Sequence, residues 1–149
     1  MESGYETIAH HWFEELWNKG REVVIDENIA EDCLVHGLSD GSGQEVRGPQ
    51  AFKTFFQSFR QAFPDIHITV EDTVTAGDRT VARCTVKATH TGDSLGIPAT
   101  GKSVDFGGIA IIQERDGKII EAWNHFDFFT MYNQLGVIQP INTEAVIPK

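Results

Sequence analysis

Apolar residues recur along this chain at two periods, and each period marks a different kind of element. From Tyr5 to Lys19 the spacing is helical, with Ile8, Trp12 and Leu16 on one line and Phe13 and Trp17 beside it. Asn18-Lys19-Gly20 ends that helix. A shorter helical stretch spans Glu22 to Ala30, its apolar side made by Val24, Ile25 and Ile29. Cys33 to Leu38 reads as a short strand in which Leu34, His36 and Leu38 share a face. Ser39 to Gln44 is a turn or loop by its Gly, Ser and Asp content. Gly48-Pro49 opens the strongest helix, where Phe52, Phe55, Phe56, Phe59 and Phe63 fall at i, i+3, i+4, i+7 and i+11. Burying each of these rings against a sheet is worth roughly 1.5–3 kcal/mol. Phe63-Pro64-Asp65 stops the helix.

Beyond this point the period is two. Ile66 to Thr75 places Ile66, Ile68, Val70 and Val74 on one side. Ala76-Gly77-Asp78 makes a hairpin turn. Thr80 to His90 then points Ala82, Cys84, Val86, Ala88 and His90 inward. These inward residues are mostly small, which suits a wall that a helix or ligand approaches closely. Thr91 to Thr100 is a loop whose Leu95, Ile97 and Pro98 predict that it folds over something. Gly101 to Glu114 is a long strand. Its Gly107-Gly108 pair predicts a bulge, a sharp bend or a close backbone approach. A turn at Asp116-Gly117 leads into a last strand and a short helix with Met131 and Leu135 four apart and Gly136 as C-cap. Helices first and antiparallel strands last indicate an α+β fold, with a strongly bent sheet wrapped around the long helix as a cone with an internal pocket.

The last strand holds the candidate chemistry. Strict alternation puts Ile119, Glu121, Trp123, His125 and Asp127 on one face, where a purely structural strand would carry aliphatics. His36 and His90 end or interrupt apolar rows, and Phe55 and Phe59 lie on the stripe that would wall a pocket. Trp12 and Trp17 read first as core packing, with Trp12 also a candidate pocket contact. Asp127 has two readings on local grounds, a helix cap and a catalytic carboxylate. Desolvation among Trp123, Phe55 and Phe59 would raise its pKa. His36, His90, His125 and Asp127 contain no compact metal-ligand motif, so no metal is expected.

Composition narrows the partners. The chain has 149 residues, enough for one domain. The net charge of −10 argues against nucleic acid and anionic membrane surfaces as partners. The two cysteines, Cys33 and Cys84, have no zinc spacing and read as free thiols. No signal pattern and no membrane-length apolar run occurs, and a cytoplasmic location is expected.

Several stretches together resemble a family. They are Phe63-Pro64-Asp65-Ile66-His67, Thr89-His90-Thr91-Gly92, Gly96 to Lys102 (GIPATGK), Asp116-Gly117-Lys118-Ile119, Glu121-Ala122-Trp123 with Asp127, and Gln134-Leu135-Gly136. This set is similar to the SnoaL-like polyketide cyclases and predicted ester cyclases, within the nuclear-transport-factor-two-like superfamily. The resemblance covers about residues 5–138 of a single domain spanning 1–149, with 139–149 as a tail. It implies an α+β cone and a cofactor-independent, intramolecular aldol-type ring closure of a small polyketide-like substrate. It implies Asp127 as general acid/base, His36 facing the cavity, and homodimerisation through the outer face of the sheet. His125 is a candidate partner of Asp127 on local geometry, and Trp123, His90, Phe55, Phe59, Trp12 and Glu121 are candidate substrate contacts. An epoxide hydrolase or isomerase on the same fold, or a non-catalytic small-molecule binder, remain open.

Overall fold

The computed structural model describes residues 7–39 and 44–138. The 139–149 tail, the first residues of the expected N-terminal helix and most of the loop after Ser39 lie outside them.

The chain starts with α1 (Ile8–His11), whose N-cap Thr7 accepts a hydrogen bond from the His10 backbone N–H. It runs straight into a π-helical stretch, Trp12–Asn18. The wider turn puts residues five apart above one another, so Trp12 and Trp17 share a side. Trp12, Phe13, Leu16 and Trp17 are all buried. After α2 (Val23–Asn28) come β1 (Ile29–Ser39), the short β2 (Glu45–Arg47) and α3 (Gly48–Ala62), with Pro49 in its first turn. Strands β3 (His67–Ala76), β4 (Arg79–Thr89), β5 (Ser103–Arg115) and β6 (Lys118–Phe126) follow, then α4 (Phe128–Leu135). Gly136 closes α4 in the left-handed region at φ +77°.

The six strands form one open mixed sheet in the order β2-β1-β6-β5-β4-β3. Only β1 and β6 run parallel; the other neighbours are antiparallel. The helices cover one face, which fits the expected α+β cone with the sheet left unclosed. Phe52, Phe55, Phe56 and Phe59 of α3 are buried there together with Phe63. Trp17 meets the first four edge-on, with ring centroids 6.4, 6.1, 5.0 and 6.1 Å away. Arg60 of α3 donates to the Trp17 carbonyl at 2.6 Å, which satisfies one orphan group at the end of the π-helix. Asn18 pairs with the edge strand as another strand would: its Oδ1 accepts the Ile68 N–H at 2.6 Å and its Nδ2 donates to the Ile68 carbonyl at 2.8 Å.

Alternation fails at three places, and each failure redirects side chains. In β1, Gly37 at φ +84° lets the chain turn over, so Leu38 joins Val35 on the helix side, while His36 keeps its alternating place on the other face and does not share a side with Leu38. In β3, Val70 pairs with Cys84 and Asp72 with Arg83, leaving Glu71 as an extra residue. Val74 therefore ends on the far face, 68% exposed, and not on the side of Ile68 as its parity predicts. In β6, Gln113 pairs with Glu121 and Glu114 with Ile119, leaving Ile120 unpaired. The Gly107-Gly108 pair holds no bulge in its register with β4; the Phe126 ring lies where a Cβ on Gly108 would be. The 91–100 loop folds over the end of α3: the Thr91 N–H donates to the Ala62 carbonyl at 3.0 Å, and Ser58 and Ser94 each donate to the other's carbonyl. Cys33 and Cys84 are free and buried, their thiols pushed up to about 12 by burial.

Gly37 has no room for a side chain, because a Cβ would collide with the Asn124 backbone carbonyl. Left-handed backbone and overpacking together make Gly37→Ala cost about 2–5 kcal/mol. Urea unfolding followed by tryptophan emission should show a lower midpoint of that size with an unchanged m-value.

Candidate active site

Between the helices and the sheet lies a cavity of about 670 Å³ of atom-free space, its open mouth included. Stiff rings wall one side: Trp12, Phe13 and Trp17 from the π-helix and Phe52, Phe55 and Phe59 from α3. The sheet contributes mostly small or aliphatic residues, among them Val86, Ala110, Ile112 and Ala122. Phe106, Phe126 and Phe128 line it from β5, the end of β6 and the start of α4. No Asp, Glu, His, Lys or Arg of the described residues lines this cavity. Among the described lining residues, Asn124, Trp12 and Trp17 are the ones whose side chains carry a hydrogen-bonding group.

Sequence-predicted residues divide between this cavity and other places. Trp12, Phe55 and Phe59 line it. Glu121, Trp123 and His125 do not, because the extra residue Ile120 inverts the face of β6 after Ile119. Ala122, Asn124 and Phe126 point inward in their place. Asn124 was invisible to a parity count begun at Ile119; only the bulge reveals it.

His36 also lies away from the cavity, because alternation with the inward Cys33 and Val35 puts it on the opposite face of the sheet with Glu121 and Trp123. Its Nε2 lies 2.7 Å from Glu121 Oε2 and its Nδ1 3.4 Å from Glu45 Oε1. The hydrogen bond to Glu121 raises its pKa most, with Glu45 adding to it, against a smaller lowering by burial. The imidazole stacks on Trp123 at 5.6 Å with planes 21° apart, and the Arg79 guanidinium lies 4.9 Å from that indole. His125 is exposed opposite Ile109 of β5.

His90 is fully buried but does not line the cavity. Its Nδ1 accepts the Thr100 N–H at 3.2 Å and lies 3.0 Å from the Thr100 hydroxyl, so it ties down the far end of the 91–100 loop. Phe63 packs on its ring at 5.4 Å. A loop-anchoring core histidine is what the structure holds here. The four groups His36, His90, His125 and Asp127 do not converge, and no cluster of three or more His, Cys, Asp or Glu among the described residues is arranged to hold a metal ion.

Asp127 sits at the end of β6, between the cavity-lining Phe126 and Phe128. Its backbone N–H donates to the Gly107 carbonyl at 3.0 Å. Its side chain is exposed and caps α4: Oδ1 accepts the Thr130 N–H at 3.0 Å and Oδ2 the Thr130 hydroxyl at 2.6 Å. Those hydrogen bonds lower its pKa below the ordinary 3.8, with burial a minor opposing influence. The expected rise by desolvation does not occur, because Trp123 faces away and the phenylalanines pack elsewhere.

The sequence pattern that defines SnoaL-like polyketide cyclases matches residues 7–135. Among proteins of known activity, the chain is 29% identical over 123 residues to the aklanonic acid methyl ester cyclase DauD of Streptomyces sp. (strain C5), which covers 82% of this chain and 76% of that protein. Among solved structures, it is similar to wild-type IdmH of Streptomyces antibioticus, a candidate polyketide cyclase, at 31% identity and TM-score 0.74 over 87% of this chain and 96% of that one. A candidate polyketide cyclase of Bacillus cereus superposes with TM-score 0.72 at 33% identity, over 88% and 80% of the two chains. The matched residues 7–135 span every element from α1 to α4, and the chain belongs to the SnoaL-like polyketide cyclase family.

Proposed function

We propose that this chain closes a ring in a small, polyketide-like substrate by an intramolecular aldol reaction, without a cofactor. The cavity carries the reading: it opens to solvent, is almost wholly apolar, and sits on a scaffold of cyclases. In such a reaction a base takes a proton from a methylene flanked by two carbonyls. The resulting carbanion attacks a ketone carbonyl carbon, forming the new C–C bond. The alkoxide left on the ketone oxygen then takes the proton back, so the product is an isomer of the substrate. Asp127 is the candidate for both transfers, supported by its place in the chain between the cavity-lining Phe126 and Phe128. Its lowered pKa makes it a weak base, which restricts the reaction to methylenes already acidified by their neighbours. Trp12, Phe55 and Phe59 are the proposed substrate contacts.

A second reading, a non-catalytic binder, is favoured by the absence of ionisable side chains from the lining among the described residues. The partner is a small molecule in either case. The charge of −10 supports a reading without nucleic-acid or anionic-membrane partners. A cytoplasmic location remains part of the proposal, and among the described residues no helix is long and apolar enough to cross a membrane.

Asparagine caps helices as well as aspartate does, so Asp127→Asn separates chemistry from capping. With poly-β-keto methyl esters, liquid chromatography–mass spectrometry should find a product of unchanged mass, formed about 10²–10⁴-fold more slowly by the variant. A product one water heavier from an epoxide would instead make the protein a hydrolase. Saturable binding with no turnover, unchanged in Asp127→Asn, would make it a binder.

The carboxylate acts in its ionised form, and its folded pKa lies below 3.8. Activity should therefore persist as pH falls to that value and decline only beneath it, in a kcat/KM profile measured on refoldable enzyme. An acid limb near neutrality would exclude Asp127 as the base.

The outer face of the sheet is the proposed dimer surface. Ile109 is 43% exposed there, in register with His125 and next to the Ile111–Trp123 pair. Ile109→Lys should convert a dimer to a monomer in light-scattering measurements; a wild-type monomer at micromolar concentration would overturn the assignment.

A further inference from the structure

We propose that Asn124 orients the bound molecule, accepting a hydrogen bond through Oδ1 from an enol or hydroxyl O–H, and that the cavity thereby selects ligands carrying such a donor. The inference rests on the cavity being the substrate site.

The amide has one available orientation. Asn124 Nδ2 lies 3.1 Å from the His36 carbonyl oxygen, an atom that can only accept, so the NH₂ end must point at β1. That leaves Oδ1 as the free end, with no hydrogen-bond partner among the described residues. Oδ1 is open to solvent, so water can meet it in the empty cavity, and a ligand donor would take that water's place. The surroundings are cleared for one. Ala122 precedes Asn124 by two residues on the same face, and Ala110 is its register partner on β5. Both line the cavity and both end at Cβ, so a ligand atom can approach the amide from two sides. The indole groups of Trp12 and Trp17 can only donate, and the other lining side chains have no hydrogen-bonding heteroatom. Asn124 Oδ1 is therefore the one side-chain acceptor a ligand meets among the described residues.

The chemistry fits an acidified methylene compound. A 1,3-dicarbonyl exists partly as its enol, whose O–H would meet Oδ1 while its carbonyl end remains free for the indole donors. Neutral Asn124 cannot take the proton away. It holds the molecule in register while proton transfer occurs at another group.

The test uses two probes of nearly equal shape, 2-naphthol and 2-methylnaphthalene, with binding read from quenching of tryptophan emission. In Asn124→Leu the affinity for 2-naphthol relative to 2-methylnaphthalene should fall about two- to tenfold from the wild-type ratio, the size of one net hydrogen bond. Asn124→Ala should shift the ratio the same way if the leucine variant does not fold, and retained binding of 2-methylnaphthalene certifies an intact cavity in either. An unchanged ratio, or equal weakening of both probes, overturns the assignment to Asn124 while leaving ring closure untouched. Conversely, a shifted ratio in a protein that turns over no keto ester would retain Asn124 as the recognition group and remove the aldol reading.

Discussion

Trp17 sits edge-on against four phenylalanines of α3, and the remainder of the molecule is arranged around that packing. Each such aromatic pair contributes about 0.5–1.5 kcal/mol beyond simple burial. The π-helical turn is what makes the arrangement reachable. An α-helix would place Trp12 and Trp17 on different sides, whereas the wider winding brings both to face α3, and Trp12 meets Phe52 at 5.1 Å as well. Rigid plates that meet edge to face cannot mould themselves to a curved sheet. Opposite them the sheet presents mostly alanines, valines and isoleucines, with Phe106 and Phe126 among them. Large flat groups on one side and mostly short ones on the other leave a gap, and that gap is the cavity. The cavity is thus a by-product of the same contacts that hold the helices to the sheet.

Features fixed by local chemistry could be read directly from the sequence. The five-phenylalanine stripe gives α3, Pro49 its start and Gly136 the end of α4. The inward row of β4 is correct from Ala82 to Ala88 because its register with β5 runs unbroken. Family motifs carried the fold and the kinship. What failed was the facing of side chains in β1, β3 and β6, each time at a single extra or left-handed residue. A bulge is set by how two strands share hydrogen bonds, and nothing in the residues Ile120 or Glu71 announces it. One such residue moves every later side chain to the other face. That is how Glu121, Trp123 and His125, a persuasive polar row on paper, came to lie outside, and how Asn124 came to lie inside.

The inversion changes the electrostatics as well as the residue list. A cavity lined by Glu121 and His125 would hold ionisable groups in a low-dielectric setting, with pKa values displaced towards neutrality. The observed lining holds none among the described residues. The polar cluster instead faces outward, where His36, Glu121 and Glu45 pair in a partly exposed setting and Arg79 and Trp123 complete the stack. Charges there suit contact with another surface better than contact with an apolar ligand.

Asp127 shows the trade between holding a carboxylate still and keeping it basic. Two hydrogen bonds from Thr130 fix its carboxylate, and the same two bonds stabilise the ionised form and so weaken its pull on a proton. Burial would restore basicity, but a carboxylate within this cavity would have no cation to pair with and would be strongly destabilising. An amide has no such requirement. Asn124 can face the apolar space with one end anchored to β1 and the other free, at the small cost of one acceptor that water or a ligand can satisfy. The physical constraint therefore favours separating the two proposed tasks. Under the proposed assignments, recognition would fall to a neutral group inside the cavity and proton transfer to an exposed carboxylate, which solvent keeps ionised.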